Sequence, residues 1–245
     1  MEIRKVAVLG AGTMGHGIAQ VCAQAGMKVA LRDVDDAALE RGLTGIRGSL
    51  DRLVQKTKID AAAREQALAA ISRTTDLAAA VADADLVVEA IPERMELKLS
   101  TFAEVDRHAP AHALLGTNTS SLSVTEIAGA TKRPERVVGL HFFNPVPVME
   151  LLEIVRGLRT GDEAIAAARA FATAIGKRPI VVSFGNPYLL QQVRTVPAYL
   201  IGWGGFPVSQ QAAARALLGS APIVGRLPIA IPPVAPLGAG LRRGG

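Results

Sequence analysis

A short apolar run, Val6-Ala7-Val8-Leu9, passes directly into Gly10-Ala11-Gly12-Thr13-Met14-Gly15 and then into a helical pattern. Few folds use such a junction. Gly10 permits a tight strand-to-helix turn, Gly12 has no Cβ to block an approaching group, and Gly15 lets helix and strand pack closely. The backbone N–H groups around Thr13 and Met14, at the helix start, then face an anion along a favourable helix dipole. An acid, Asp33, follows the second strand-like run, Lys28–Arg32, and lies 23 residues after Gly10. Glycine loop and acid together read as a dinucleotide cradle, with Asp33 accepting a hydrogen bond from a ribose 2′-hydroxyl. A carboxylate there repels a 2′-phosphate, so NAD is expected. Arg32 beside it is the group through which NADP would be held instead.

The rest of residues 1–183 alternates β-branched runs with longer helical patterns. Strands are expected at Val6–Leu9, Lys28–Arg32, Ala84–Ile91, Ala113–Thr117, Val137–His141, Met149–Val155 and Pro179–Ser183. Helices are expected near Met14–Ala25, Ala37–Gln55, Leu97–Arg107 and Glu163–Ile175. This alternation predicts an α/β fold: a doubly wound, Rossmann-like, parallel-rich sheet with helices on both faces.

Charge separates the two ends of the chain. Residues 184–245 contain no Asp, Glu, Lys or His, and their five arginines account for the whole net charge of +5. Taking those five from 27 basic residues leaves 22 against 22 acidic ones, so the body of the chain has no polyanion-binding excess and no nucleic-acid partner is expected. Cys22 is the only cysteine, which excludes an internal disulfide and a Cys-cluster metal site. Four scattered histidines without HxxxH-type spacing give no reason to expect zinc. No long uninterrupted apolar stretch and no signal-like start are found, so no membrane partner is expected and the expected location is cytoplasmic.

Chemistry-capable residues recur at or near the ends of the expected strands, where ligands bind in open α/β sheets. Glu153 lies in Met149-Glu150-Leu151-Leu152-Glu153-Ile154-Val155, on the same face as Met149, Leu151 and Val155. A carboxylate on an apolar face needs a partner. His141 ends the preceding strand, and the turn Asn144-Pro145-Val146-Pro147 can bring it alongside. Either the two pair, with the acid fixing the tautomer of a general base, or His141 merely packs on aromatic neighbours and Glu153 reaches an exposed edge. Ser120 and Asn144 suit a substrate hydroxyl or carbonyl, or else serve as a helix cap and a turn residue. Ser120-Ser121 before Leu122 and Glu126 fits the capping pattern. His16, His108 and His112 are read as surface or loop residues.

With the glycine loop, Asn118-Thr119-Ser120-Ser121 and Gly139-Leu140-His141-Phe142-Phe143-Asn144-Pro145-Val146, the chain resembles the L-3-hydroxyacyl-CoA dehydrogenases, and within them the bacterial 3-hydroxybutyryl-CoA enzymes. The resemblance covers about residues 1–183. It implies an NAD-dependent oxidoreductase that moves a hydride between NAD and C3 of an L-3-hydroxyacyl-CoA thioester, as in fatty-acid β-oxidation. It implies that His141 is the general base and that Glu153 orients it. Ser120 and Asn144 then contact substrate and nicotinamide, Asp33 the adenosine ribose, and Glu93 and Lys98 the cofactor site. Ser49 and Lys56 match positions that touch coenzyme A.

After Ser183 the resemblance stops. Family members continue with a Pro-Gly-Phe helix start and a helical domain that closes the substrate cleft and forms a homodimer interface. Here Phe184-Gly185-Asn186-Pro187-Tyr188 follows instead. Residues 184–245 hold eight of the 14 prolines and lack every residue type but Arg that carries full charge, which points to out-of-frame reading of a GC-rich gene and to a poorly ordered tail without the usual interface. The expected domains are therefore 1–183, binding NAD, and 184–245, aberrant. Three functions stay open: the acyl-CoA dehydrogenase, a catalytically weak or inactive dinucleotide-binding module, and a dehydrogenase acting on a non-thioester.

Overall fold

The computed structural model describes residues 2–184, 199–202 and 215. It divides into two units, Met1–Pro179 and Ile180–Gly245.

In the first unit the chain runs β1 (Lys5–Leu9), α1 (Gly15–Gln24), β2 (Lys28–Arg32), α2 (Asp36–Gln55), α3 (Ala61–Ala69), β3 (Ile71–Thr74) and α4 (Leu77–Val81). It continues through β4 (Leu86–Glu89), α5 (Met95–His108), β5 (Leu114–Thr117), α6 (Val124–Gly129), β6 (Val137–Phe142), β7 (Leu151–Arg156) and α7 (Asp162–Ala174). Its strands are ordered β3-β2-β1-β4-β5-β6-β7. All pairs are parallel except β6–β7, whose short connection makes it an antiparallel hairpin. The strand order reverses between β1 and β4, and the crevice at their C-terminal ends is the switch point where ligands bind in such sheets. This is the expected doubly wound architecture.

The central strands β1, β4 and β5 are almost continuously apolar because both of their faces are covered. Ala7 and Leu9 of β1 face a core with Val87, Leu115, Phe102 and Ile127, supplied by β4, β5, α5 and α6. Each of the larger buried side chains, Leu9, Val87, Leu115, Phe102 and Ile127, contributes about 1.5–3 kcal/mol. Val8 points to the opposite face, where the start of α1 closes on it. Asp35, Asp60, Asp76 and Ser123 cap α2, α3, α4 and α6, each accepting from a backbone amide three residues on.

Several elements depart from expectation. β4 spans Leu86–Glu89 rather than Ala84–Ile91, because Asp85 turns its carboxylate to the amides of Arg4 and Lys5 while the Ile91 amide folds back on the Glu89 carboxylate. β7 starts at Leu151, because the amides of Val148 and Met149 both donate to the Pro145 carbonyl and keep the turn closed through Met149. α3, β3, α4 and α6 were not expected. The cap of α6 is Ser123 and not the pair Ser120-Ser121, whose amides serve another acceptor.

The second unit holds most of β8 (Arg178–Phe184) together with β9 (Tyr199–Gly202), paired in parallel with Val181 opposite Tyr199. The remaining expectations about the tail, its disorder among them, fall on residues outside the described ones. No described helix is long and apolar enough to cross a membrane.

Candidate active site

Register lines up the site. Arg32, Leu9, Glu89, Thr117 and Gly139 lie opposite one another in successive strands, so their C-terminal ends share one edge. Leu9 feeds the glycine loop, and His141 lies two residues beyond Gly139. Three strand spacings separate these two strands, about 14 Å.

At the β1 end, the loop has the shape that its glycines require. Gly10 has φ +103°, donates its amide to the Arg32 carbonyl at 2.7 Å, and leaves no room for a Cβ beneath Ala90. A Cβ on Gly15 would fall 1.7 Å from the Gly10 carbonyl oxygen. A Cβ on Gly12 would meet nothing within 4 Å. Gly10 and Gly15 thus serve the fold, while Gly12 keeps open the space above the helix start, as a diphosphate requires. Thr13 is exposed and Met14 half-buried at that start. Asp33 accepts from the Ala11 amide at 2.6 Å and the Val34 amide at 2.7 Å, so it holds the loop as well as offering its remaining lone pairs to a ribose. His16, read from sequence as a surface residue, is half-buried and its Nδ1 lies 2.7 Å from the Gly12 carbonyl.

Between β4 and β5 lies a buried charged network. Glu89 at the end of β4 accepts from Lys98 of α5 at 2.6 Å, from the Thr117 hydroxyl at 2.7 Å and from the Ile91 amide at 2.8 Å. Lys98 also reaches Glu93 at 3.2 Å. Glu93 in turn accepts from the Thr119 hydroxyl at 2.5 Å and the Ser120 amide at 3.0 Å, with the Ser120 and Ser121 hydroxyls at 3.5 and 3.4 Å. Partial burial pushes the Glu93 carboxyl up, but the Thr119 hydroxyl and the Lys98 ammonium outweigh it and hold the group below its ordinary 4.5. The structure therefore joins three expected residues, Glu93, Lys98 and Ser120, in one assembly.

At the β6–β7 hairpin, His141 stands opposite Glu153 in the ladder. Nδ1 and Oε2 are 2.7 Å apart, and the two side chains are 18% and 13% exposed, enough to be reached and little enough to strengthen the bond. The Phe143 ring lies tilted against the imidazole at 4.6 Å. An ionised Glu153 accepts only, so the ring proton sits on Nδ1 and leaves Nε2 as a base. Asn118 ties this hairpin to β5 by accepting from the Phe142 amide at 2.8 Å. Asn144 is exposed at the cis Asn144–Pro145 bond.

Ser49 is half-buried on α2, and Lys56 is exposed at its C-terminal cap. No hydrogen bond among the described residues joins either of them to the glycine loop or to His141. Sequence reasoning places Glu89 in a chemistry-capable segment, Val88-Glu89-Ala90-Ile91-Pro92-Glu93, but gives it no role, although a carboxylate closing the apolar run Leu86-Val87-Val88 carries the same signal that singles out Glu153.

The family of 3-hydroxyacyl-CoA dehydrogenase NAD-binding domains matches residues 5–184. The 3-hydroxyadipyl-CoA dehydrogenase of Escherichia coli K12 is 40% identical over 221 residues, covering 90% of this chain and 46% of that protein. The probable 3-hydroxybutyryl-CoA dehydrogenase of Bacillus subtilis is 44% identical over 183 residues, covering 75% of this chain and 63% of that protein. A crystal structure of the Escherichia coli K12 3-hydroxybutyryl-CoA dehydrogenase superposes with a TM-score of 0.73 at 44% identity, over 75% of this chain and 39% of that one. The chain thus spans less than two thirds of these relatives' length. By the match over residues 5–184, the chain belongs to the family of 3-hydroxyacyl-CoA dehydrogenase NAD-binding domains.

Proposed function

We propose that residues 1–183 bind NAD and support reversible hydride transfer between the cofactor and C3 of an L-3-hydroxyacyl-CoA, with 3-hydroxybutyryl-CoA and acetoacetyl-CoA as the favoured pair. The observation that carries the reading is the 2.7 Å His141–Glu153 pair on the same sheet edge as the glycine loop. Bound nicotinamide supplies the hydride acceptor. His141 takes the 3-hydroxyl proton at Nε2, and Glu153 compensates the imidazolium charge that results. Gly12 and the start of α1 hold the diphosphate. Asp33 takes the adenosine ribose, which favours NAD over NADP, and Glu93 with Lys98 sets the Ser120 loop beside the cofactor. Ser120 and Asn144 position the reacting oxygen, while Lys56 and Ser49 meet the coenzyme A moiety.

The test is NADH consumption by the purified chain with acetoacetyl-CoA, NADH binding being measured separately by calorimetry. Expected are NADH binding and turnover, with a loss of about 10²–10⁴ in rate for His141→Ala at unchanged NADH affinity. Failure to bind NADH, or a His141→Ala variant as active as the parent, overturns the reading. Binding without turnover would restrict the reading to the dinucleotide-binding module.

A further inference from the structure

A lysine that the proposed chemistry does not use is buried behind the hairpin. Lys177, in the turn after α7, is 8% exposed, and its Nζ donates to the carbonyls of Val146 and Met149, both at 2.6 Å. The next residue adds a third tie, the Arg178 amide donating to the Glu150 carbonyl at 2.7 Å. Pro145, inside the same connection, accepts from the amides of Val148 and Met149. The connection Phe143–Glu150 is therefore closed around an ammonium. Its other side rests on the nucleotide helix: a Cβ on Gly17 of α1 would fall 2.9 Å from Val146 Cβ and 3.5 Å from Pro147 Cδ.

We propose that Lys177 is a positioning residue for the hydride-transfer site: its ammonium seats the β6–β7 connection, and with it Asn144 and the ends of the strands bearing His141 and Glu153, against Gly17 of the helix that opens the dinucleotide cradle. This rests on the dehydrogenase reading above. A buried ammonium is costly, and burial does push Lys177 below its ordinary 10.5, with the Glu150 charge opposing. Surface lysines serve solubility without that cost. What this one gains is two backbone carbonyls of an irregular loop. The connection has to hold its place, because a displacement of about 1 Å between base and redox carbon lowers the rate about a hundredfold.

The test uses the full chain, with Lys177→Met and Gly17→Ala compared with the parent. Two readouts are taken: amide hydrogen exchange, and kcat, KM and the primary deuterium isotope effect for acetoacetyl-CoA reduction by deuterated NADH. Lys177→Met is expected to speed exchange at residues 143–150 about tenfold or more while α1 and α5 keep their protection. In both variants kcat is expected to fall about 10–100-fold, with KM for NADH within about twofold and an isotope effect larger than in the parent, because hydride transfer becomes slower than product release. Unchanged exchange in Lys177→Met overturns the proposal, and so does unchanged kcat despite faster exchange. If Lys177→Met does not fold, Gly17→Ala decides by the same kinetic criteria. Should the parent bind NADH without turnover, the dehydrogenase reading fails, whereas the exchange comparison still decides whether Lys177 holds the hairpin.

Discussion

Lys98 of α5 and Glu89 of β4 form an ion pair almost without access to water, Nζ to Oε1 at 2.6 Å with each side chain 1% exposed. Such a pair adds little net stability relative to apolar residues of the same shape, but removing one partner strands a charge. Glu89→Leu leaves the ammonium with Glu93 alone and also orphans the Thr117 hydroxyl. It is expected to cost about 3–5 kcal/mol by urea denaturation. The double variant Glu89→Leu/Lys98→Met is expected to be more stable than Glu89→Leu alone. A double variant less stable by the sum of the two single effects would show that the pair is not the unit.

This pair also shows what was legible beforehand. The glycine loop and Asp33 are legible in spacing, and strand alternation brings out His141 and Glu153 while leaving open whether they pair, because each of these signals depends on local backbone geometry. Glu89 carries the same signal, a carboxylate inside the expected strand Ala84–Ile91, but no residue close in sequence marks its partners, Lys98 nine residues on and Thr117 on the next strand. Glu93 and Lys98 were assigned only by resemblance, since on a helix face and a loop nothing marks them as buried. Lys177 was invisible: its burial is produced by a hairpin distant in sequence. The helices α3 and α4 were missed because Ala-rich segments of nine and five residues carry little amphipathic pattern.

The glycine loop separates fold from binding. Gly15→Ala places a methyl 1.7 Å from the Gly10 carbonyl, so loop and helix must part, and a loss of about 2 kcal/mol or more is expected in thermal or urea unfolding. Gly12→Ala meets nothing within 4 Å. Its stability should match the parent to within about 0.5 kcal/mol, while NADH affinity falls about tenfold or more, because the methyl occupies the diphosphate's approach. Calorimetric titration and a melting curve on both variants check the contrast. Equal effects of the two substitutions on binding and stability would contradict it.

Glu93 gives a pH dependence with a definite sign. Its carboxyl is held below 4.5 in the folded chain, so the folded state binds its proton less readily than the unfolded state. The stabilisation is then complete above the ordinary value and lost as pH falls through the folded one. Urea midpoints measured from about pH 6 down to about pH 3 should fall less steeply for Glu93→Gln than for the parent. Identical slopes would mean that the Thr119, Ser120 and Lys98 contacts do not favour the ionised form.

The His141–Glu153 pair predicts non-additive kinetics. Glu153→Gln keeps a group of the same size opposite Nδ1 and, with its carbonyl oxygen accepting, the same tautomer. What it removes is the negative charge that, in the proposed reaction, compensates the imidazolium formed when the 3-hydroxyl proton is taken. The loss expected is about 10–100-fold in kcat for 3-hydroxybutyryl-CoA oxidation, with NAD affinity unchanged, because the cradle at Gly12 and Asp33 is untouched. His141→Ala is expected to cost more, since the proposed base itself is gone. If Glu153 acts only through the imidazole, then once that ring is absent its own substitution has nothing left to remove. His141→Ala/Glu153→Gln should therefore be no slower than His141→Ala to within about twofold. A double variant slower by the product of the two single losses would assign Glu153 a separate contact with the substrate, and the bracing role would have to be abandoned.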